Sequence, residues 1–238
     1  MANKEIKNIL LVEGDSDSKF FQTLIKYLGI TNAILNFDLL RFDAIGGSDK
    51  KLLEFSIRSL EVDLRSNPIE KFGIVLDLDD YENDSRFKQV HEILIKIFGE
   101  QNVLNNNDNS FNVKLNDLKT ILVDCHFIEN DLVTNLELLL KEIVTQDPLA
   151  ANCLKHWFDC AINSGRKIRK SDYLKFWREV YVRYDYCSNP DLRKHSVENC
   201  TTEKSFDNMF IDGKPQAWNF ESPLLNNLKT FLASFSNE

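Results

Sequence analysis

Hydrophobic and polar positions follow two different periods in the first hundred residues. The apolar run Ile9 to Val12 stops at Glu13 and Gly14, which predicts a short buried strand that ends at a carboxylate and a turn. Ser16 or Asp17 is then expected to cap a helix. The apolar positions of that helix fall at helical spacing: Phe20, Phe21, Leu24, Ile25 and Leu28.

The same strand-then-helix pattern recurs twice. Strands are predicted over residues 34–44 and 72–80, and helices begin at Ser48 or Asp49 and near Asp84. Strands that alternate with helices imply a parallel sheet with right-handed crossovers. The predicted fold class is therefore α/β, with a Rossmann-like parallel sheet flanked by helices.

The pattern changes in the second half of the chain. Residues 101–110 are rich in asparagine and predict a loop, and residues 111–128 predict one strand or a hairpin. Helices are then predicted over residues 134–144, 148–161, 171–184 and 223–235, without a competing strand pattern. We therefore expect an α/β domain over residues 1–128 and a helical C-terminal extension over residues 129–238, packed on it.

Acidic residues follow two of the predicted strands. Glu13 ends the first, and Asp77 and Asp79 end the third, two residues apart and so on the same side of an extended strand. Parallel strands end at the same sheet edge, where like charges repel unless a cation lies between them. Carboxylate oxygens without thiolate or imidazole nearby favour Mg²⁺ or Mn²⁺ over zinc. Asp15, Asp17 and Asp80 are candidates for a second metal ion.

These motifs carry a family resemblance. The V-E-G of residues 12–14, followed by the D-L-D of residues 77–79, resembles the Toprim domain of topoisomerases, primases and OLD-family nucleases. The resemblance covers residues 7–97 and is strongest to small stand-alone Toprim-like proteins and to the nuclease half of OLD proteins. It implies that Glu13 is an acid/base or metal-binding residue and that Asp77 and Asp79 hold the metal.

Two later residues gain a metal-binding or catalytic role only through this resemblance. In OLD-like relatives an L-E pair after the fourth strand adds an acid, which implies Glu137 as a further metal ligand. Those nucleases also use a lysine from a later helix to balance developing charge, and Lys170 is the matching position. A glutamate in the first turn of a helix also stabilises the helix dipole, so a structural role for Glu137 stays open.

A basic stretch lies in the predicted extension. Residues 166–183 contain seven basic and two acidic side chains, with aromatic residues between them. Arg166, Lys167, Arg169 and Lys170 are candidates for nucleic-acid binding, and the aromatics could stack on bases. The alternative is an amphipathic helix with a solvated basic face and aromatics in the core, and we expect most of these aromatics to be buried.

A glycine pair precedes the second predicted helix. Gly46 and Gly47 could present backbone N–H groups to a phosphate, but a two-glycine turn more often satisfies backbone geometry alone. We favour the turn interpretation.

Composition narrows the function classes. The net charge of −8 argues against broad nucleic-acid coating but leaves room for a local basic patch. Five cysteines without C-x-x-C spacing favour reduced, structural thiols over a disulfide framework or zinc ribbon. We expect a cytoplasmic protein with no membrane span, because no apolar run approaches the roughly 20 residues required and no signal peptide is apparent.

The function that these features predict is a Mg²⁺- or Mn²⁺-dependent nuclease that hydrolyses phosphodiester bonds of DNA or RNA. Motifs for a serine hydrolase, a P-loop ATPase or a dinucleotide enzyme are missing from the sequence. The alternative is a non-catalytic Toprim-like module that binds nucleic acid or a partner. The likeness to the OLD nuclease half leaves a third alternative open, in which the chain works with a separately encoded ATPase.

Overall fold

The computed structural model describes residues 6–32, 34–47, 49–78, 81–107, 109–129, 133–188, 200–211 and 213–236. Within them, six strands form one sheet in the order β2-β1-β3-β6-β5-β4. The strands are β1 (Asn8–Val12), β2 (Leu40–Ala44), β3 (Lys71–Asp77), β4 (Val103–Asn107), β5 (Ser110–Asn116) and β6 (Lys119–Ile128). β2, β1, β3 and β6 run parallel, and β5 and β4 add an antiparallel edge. The predicted Rossmann-like α/β fold class is confirmed.

Four helices in the described part of the chain flank the sheet. They are α1 (Asp15–Thr31), α2 (Lys50–Ser66), α3 (Asn83–Phe98) and α8 (Asn226–Ala233). Side chains of one sheet face, among them Ile9, Phe72 and Val123, pack in one core with Ile57 of α2 and Val90 of α3. The opposite face meets the C-terminal segment, where Asn8 Nδ2 donates a 3.0 Å hydrogen bond to the carbonyl oxygen of Phe235. The helices therefore cover both faces and leave the strand ends as the place for chemistry.

Two sequence predictions about strands were wrong. The predicted strand over residues 34–44 is extended only at Leu40–Ala44. The side chains of Asn32 and Asn36 accept hydrogen bonds from the backbone N–H groups of Ile34 and Asp38, and such local bonds form turns instead of a strand. The predicted loop over residues 101–110 contains β4, because an edge strand needs only backbone pairing with β5 and leaves Leu104 to Asn107 exposed.

The chain divides into two compact units. The sheet unit comprises Met1–Asn135 and Asn226–Glu238, and the helical unit comprises Leu136–Leu225. Helix α8, grouped by sequence with the extension, belongs to the sheet unit because its face packs against α1 and β6. No helix within the described residues combines the length and apolar character needed to cross a bilayer.

The helical unit contains α4 (Leu136–Glu142), α5 (Leu149–Asn163), α6 (Lys170–Val180), a π-helical turn (Tyr181–Asp185) and α7 (Thr202–Asp207). Its core is aromatic: the ring of Tyr181 lies 5.6 Å from Trp177 and 5.3 Å from Trp218, centroid to centroid. The Asp185 carboxylate accepts hydrogen bonds from the N–H groups of Ala150 and Ala151 and so caps α5 from a distant segment.

The cysteines differ from the sequence prediction in one pair. Cys187 and Cys200, both buried, are joined by a disulfide. Cys125, Cys153 and Cys160 are free thiols; Cys125 is buried, as predicted for a structural thiol, whereas Cys153 and Cys160 are exposed. The pairing escaped sequence analysis because the two cysteines are 13 residues apart and the fold of the helical unit brings them together.

Gly73 in the centre of β3 leaves no room for a side chain. A Cβ atom there would lie 2.5 Å from Cδ1 of Leu10 and 2.5 Å from Cζ of Phe235, both of which are fully buried. We expect Gly73→Ala to destabilise the protein by about 1–3 kcal/mol through overpacking, measured by urea unfolding. Gly29→Ala in α1 is the control: its nearest neighbour would be 3.8 Å away, and alanine favours a helix, so stability should hold or rise. Equal effects of the two substitutions would contradict this packing account.

His126 in β6 predicts a pH dependence of stability. Its ring lies 5.0 Å from that of Phe231 in α8, and burial lowers the pKa of His126 from 6.5 to about 4. Between these values the unfolded chain binds more protons than the folded one, so stability falls as the pH drops below 6.5. From the two pKa values we expect a loss of about 2 kcal/mol at pH 5 relative to pH 7. Urea unfolding at both pH values should show a flatter dependence in His126→Gln, and an unchanged dependence would refute the assignment.

Candidate active site

Glu13 lies at the carboxyl end of β1, next to the end of β3. Its side-chain oxygen Oε1 accepts a 3.0 Å hydrogen bond from the backbone N–H of Asp77. Only 12% of the Glu13 side chain is exposed, so water screens this carboxylate weakly. The predicted juxtaposition of Glu13 with the Asp77 strand end is therefore present in the structure.

The same oxygen is bound by an arginine that sequence analysis overlooked. Arg86 Nη2 lies 3.3 Å from Glu13 Oε1, and the arginine side chain is 1% exposed. Arg86 Nε donates to the carbonyl oxygen of Asp77 at 3.1 Å, and Nη1 donates to Gln89 Oε1 at 2.8 Å. The guanidinium carbon is 4.6 Å from the ring centroid of Tyr81. Arg86 thus ties the start of α3 to the ends of both strands.

The apolar spacing of α3 contains a signal from which the burial of Arg86 could have been predicted. It occupies the buried face of α3 with Val90, Ile93 and Leu94, at the spacing of core positions. A fully buried arginine requires partners, and acids at a nearby strand end provide one. The acidic strand ends therefore do not depend on a metal ion alone for positive charge, because the chain itself brings the guanidinium of Arg86 to Glu13.

The backbone of Glu13 is bound as well. Its carbonyl oxygen accepts hydrogen bonds from the N–H groups of Gly46 and Gly47, at 2.8 and 2.9 Å. Gly46 has a φ of 85° and Gly47 a φ of 148°, values that L side chains rarely adopt. The glycine turn thus closes the β2–α2 connection against Glu13, and the N–H groups of both glycines serve the backbone geometry that the turn interpretation predicts.

The two acids after Glu13 have different environments. Helix α1 begins at Asp15 with Gly14 as its N-cap, two residues before the earlier of the two predicted caps, Ser16. Asp17 Oδ2 accepts a 2.9 Å hydrogen bond from the N–H of Gly14, and Asp17 Oδ1 accepts one from the Ser16 hydroxyl at 3.3 Å. Asp17 therefore stabilises the helix start, whereas Asp15 is exposed.

Glu13 and Asp77 fit a hard divalent cation only in part. Both supply the carboxylate oxygens that Mg²⁺ and Mn²⁺ prefer. The described residues contain no group of three or more His, Cys, Asp or Glu side chains arranged to hold a metal ion. The predicted ligands Asp79 and Asp80 lie outside the described residues.

A further acid, also missed by sequence analysis, lies at the neighbouring strand end. Ile128 pairs with Asp77 in the β3–β6 register, and Glu129 follows it. Glu129 Oε2 accepts a 2.8 Å hydrogen bond from Nδ2 of Asn83, the first residue of α3. Asn83 and Glu129 also line a pocket of about 480 Å³ on the face of β6 that carries Asp124 and His126. The carboxyl edge of the sheet is therefore acidic across β1, β3 and β6.

Glu137 belongs to the helical unit and is buried. Its Oε1 lies 3.5 Å from Nη1 of Arg178, and both side chains are less than 10% exposed. Helix α4 is thereby joined to α6 by a buried ion pair, which gives Glu137 a structural function within its unit.

The basic candidates cluster at the turn between α5 and α6. Arg166, Lys167, Arg169 and Lys170 are all exposed. Arg169 makes a two-point contact with Asp172, at 2.8 and 2.9 Å, and this hydrogen bonding raises the pKa of Arg169 and lowers that of Asp172. Within the described residues, Arg166, Lys167 and Lys170 make no ion pair.

The aromatic residues near this cluster divide into two groups. Tyr173, Trp177 and Tyr181 are buried, as expected for core positions. Phe176 and Tyr184 are 45% and 52% exposed, so part of the aromatic surface faces solvent.

Fold and site together define a Rossmann-like α/β protein with an acidic carboxyl edge that is braced by a buried arginine. The chain belongs to the family described as protein of unknown function (DUF3226), whose model matches residues 7–237. Searches of curated proteins and of solved structures found no match.

The burial of the Glu13–Arg86 pair predicts that replacing Arg86 lowers stability far more than replacing the exposed Arg58. Arg86→Met removes the buried guanidinium that contacts the Glu13 carboxylate and donates to the Asp77 carbonyl, and should cost roughly 3 kcal/mol of unfolding free energy. Adding Glu13→Gln should recover part of that loss, because it removes the buried negative charge that Arg86 offset.

The control is Arg58→Met, which removes an exposed i,i+4 partner of Glu54 and should change stability little. Chemical unfolding of the wild type, Arg86→Met, Glu13→Gln and the double variant measures the coupling, with Arg58→Met beside them. An Arg86→Met protein as stable as Arg58→Met would show that the buried pair does not support the fold.

Proposed function

We propose that this protein is a metal-dependent nuclease whose active site is the carboxyl edge of β1 and β3. The observation that carries the proposal is the approach of Glu13 to the Asp77 strand end, with Oε1 of Glu13 hydrogen-bonded to the Asp77 backbone. The resemblance of V-E-G and D-L-D to Toprim motifs supports the same chemistry.

Each side chain has a defined role in this proposal. Glu13 and Asp77, with Asp79, would hold the ion by carboxylate oxygens, and Glu13 would accept a proton from the attacking water. Bound Mg²⁺ or Mn²⁺ would supply Lewis acidity toward the scissile phosphate. Water adds to phosphorus, the bond from phosphorus to the leaving oxygen breaks, and that oxygen takes up a proton. Arg86 would keep the Glu13 carboxylate oriented and is a positioning residue.

The exposed basic turn supports nucleic acid as the substrate. Arg166, Lys167 and Lys170 concentrate positive charge in a chain whose net charge is −8. Contacts with phosphates draw on such lysine and arginine clusters, and a local patch lets an acidic protein bind a polyanion.

One observation favours a second function, that of a non-catalytic binding module. The buried Arg86 already offsets the charge of Glu13, so the pair can serve the fold without a metal ion. Such a module would bind nucleic acid through the basic turn and leave it intact.

Cleavage assays distinguish the two functions. Labelled single-stranded DNA, duplex DNA and structured RNA should be cut with Mg²⁺ or Mn²⁺ and remain intact with EDTA. Glu13→Gln, Asp77→Asn and Asp79→Asn should each lower the rate by roughly 100-fold or more, since a catalytic carboxylate contributes at least that factor. Asp117→Asn removes an exposed acid of the β5–β6 turn and should cut at the wild-type rate.

Glu13→Gln keeps a side chain that can accept the hydrogen bond from Asp77, so thermal unfolding should separate lost chemistry from lost folding. Nucleic acid bound without cleavage under every metal condition would support the binding module. Cleavage that survives in all three variants would refute the proposed site.

A further inference from the structure

Two aromatic side chains of the helical unit are exposed side by side. Trp157 of α5 is 48% exposed and Phe176 of α6 is 45% exposed, and their ring centroids are 5.6 Å apart at an interplanar angle of 69°. The neighbouring contacts Phe158–Tyr173 and Trp177–Asn152 hold the two helices together as an antiparallel hairpin. Trp157 and Phe176 add a further contact between the same helices, while about half of each side chain faces solvent.

The position of the pair relates it to the basic turn. Trp157 lies six residues before the end of α5, and Phe176 lies six residues after the start of α6. At 1.5 Å per residue, Trp157 and Phe176 each lie about 9 Å along their helix from the helix end that adjoins the basic turn, where Arg166, Lys167 and Lys170 are found. This distance is roughly three phosphates along a stacked strand.

We propose that Trp157 and Phe176 form a stacking site for unpaired bases, and that Arg166, Lys167 and Lys170 contact the phosphates of the same strand. The basic turn is complementary to a polyanion, and every base offers a face to an aromatic ring. Bases within a duplex are already stacked, so this surface selects a single-stranded segment. The inference rests on the proposed function in that it takes nucleic acid as the substrate.

Equilibrium binding of the full chain tests the stacking site. The probes are a fluorescent 15-nucleotide oligothymidylate and a 15-base-pair duplex, measured by anisotropy in EDTA so that no metal-dependent cleavage occurs. Trp157→Leu and Phe176→Leu should each weaken binding of the single strand about 5- to 100-fold and change duplex binding little. Trp157→Phe keeps an aromatic ring and should retain most of the affinity. Phe55→Leu removes a 70% exposed ring of α2 in the sheet unit and should have no effect.

The salt dependence separates base stacking from phosphate binding. Replacing Lys167 and Lys170 by glutamine should reduce the slope of log affinity against log salt by about 0.7 for each phosphate that the variant no longer binds. The two leucine variants should keep the wild-type slope. A shallower slope in those variants would show that they perturb the basic turn, and would overturn the assignment.

Tryptophan fluorescence gives a readout at the site itself. The chain has three tryptophans, and Trp177 and Trp218 are buried. Oligothymidylate should quench the fluorescence of the wild type, because it contacts Trp157. The fluorescence of the Trp157→Phe variant, which comes from Trp177 and Trp218, should stay unchanged.

Several results would overturn the stacking site. One is that both leucine variants bind the single strand as tightly as the wild type. Another is that they lose affinity equally for the single strand and the duplex. A third is that the wild type is a dimer and both variants are monomers. The last result would assign the pair to contacts between copies of the chain.

The binding and cleavage experiments can refute the stacking site and the proposed nuclease independently of each other. Single-strand binding that depends on the aromatic pair, without cleavage under any metal condition, would refute the nuclease and leave the stacking site. Cleavage that is indifferent to both aromatics would do the reverse.

Discussion

The carboxylate of Glu13 and the guanidinium of Arg86 form the contact on which the acidic sheet edge depends. One glutamate oxygen binds both Arg86 and the backbone of Asp77, while the Glu13 carbonyl binds the glycine turn after β2. A single residue thus joins the ends of β1 and β3 to the starts of α2 and α3. Because Arg86 is almost completely buried, substituting either partner of this ion pair alone is expected to lower the free energy of unfolding strongly.

The contact also shapes the chemistry that the edge can perform. A buried guanidinium beside Glu13 fixes the direction of its carboxylate, as a metal-binding or proton-accepting group requires. The same charge reduces the electrostatic demand for a metal ion. A nuclease needs a divalent cation at this edge in addition to Arg86, whereas a binding module needs Arg86 alone.

The helical unit shows how one stretch of sequence serves two purposes. In α6, Trp177 enters an aromatic core with Tyr181, whereas Phe176 next to it faces solvent beside Trp157. Adjacent helical residues point about 100° apart, so burial of one ring leaves its neighbour on the outer side. A buried core and an exposed aromatic surface follow from the same helix.

The sequence by itself determined the alternation of strands and helices, the parallel sheet and the acids at two strand ends, because these follow from local periodicity and from the geometry of parallel strands. It could not place Arg86 against Glu13 or Glu137 against Arg178, since each of these pairs joins residues far apart in the chain. It missed β4, whose backbone pairing at an edge needs no apolar pattern, and the Cys187–Cys200 disulfide, which the fold brings together. Only the tertiary structure decided which aromatic rings are buried and which are exposed, because both kinds share one helix and burial depends on what packs against each face.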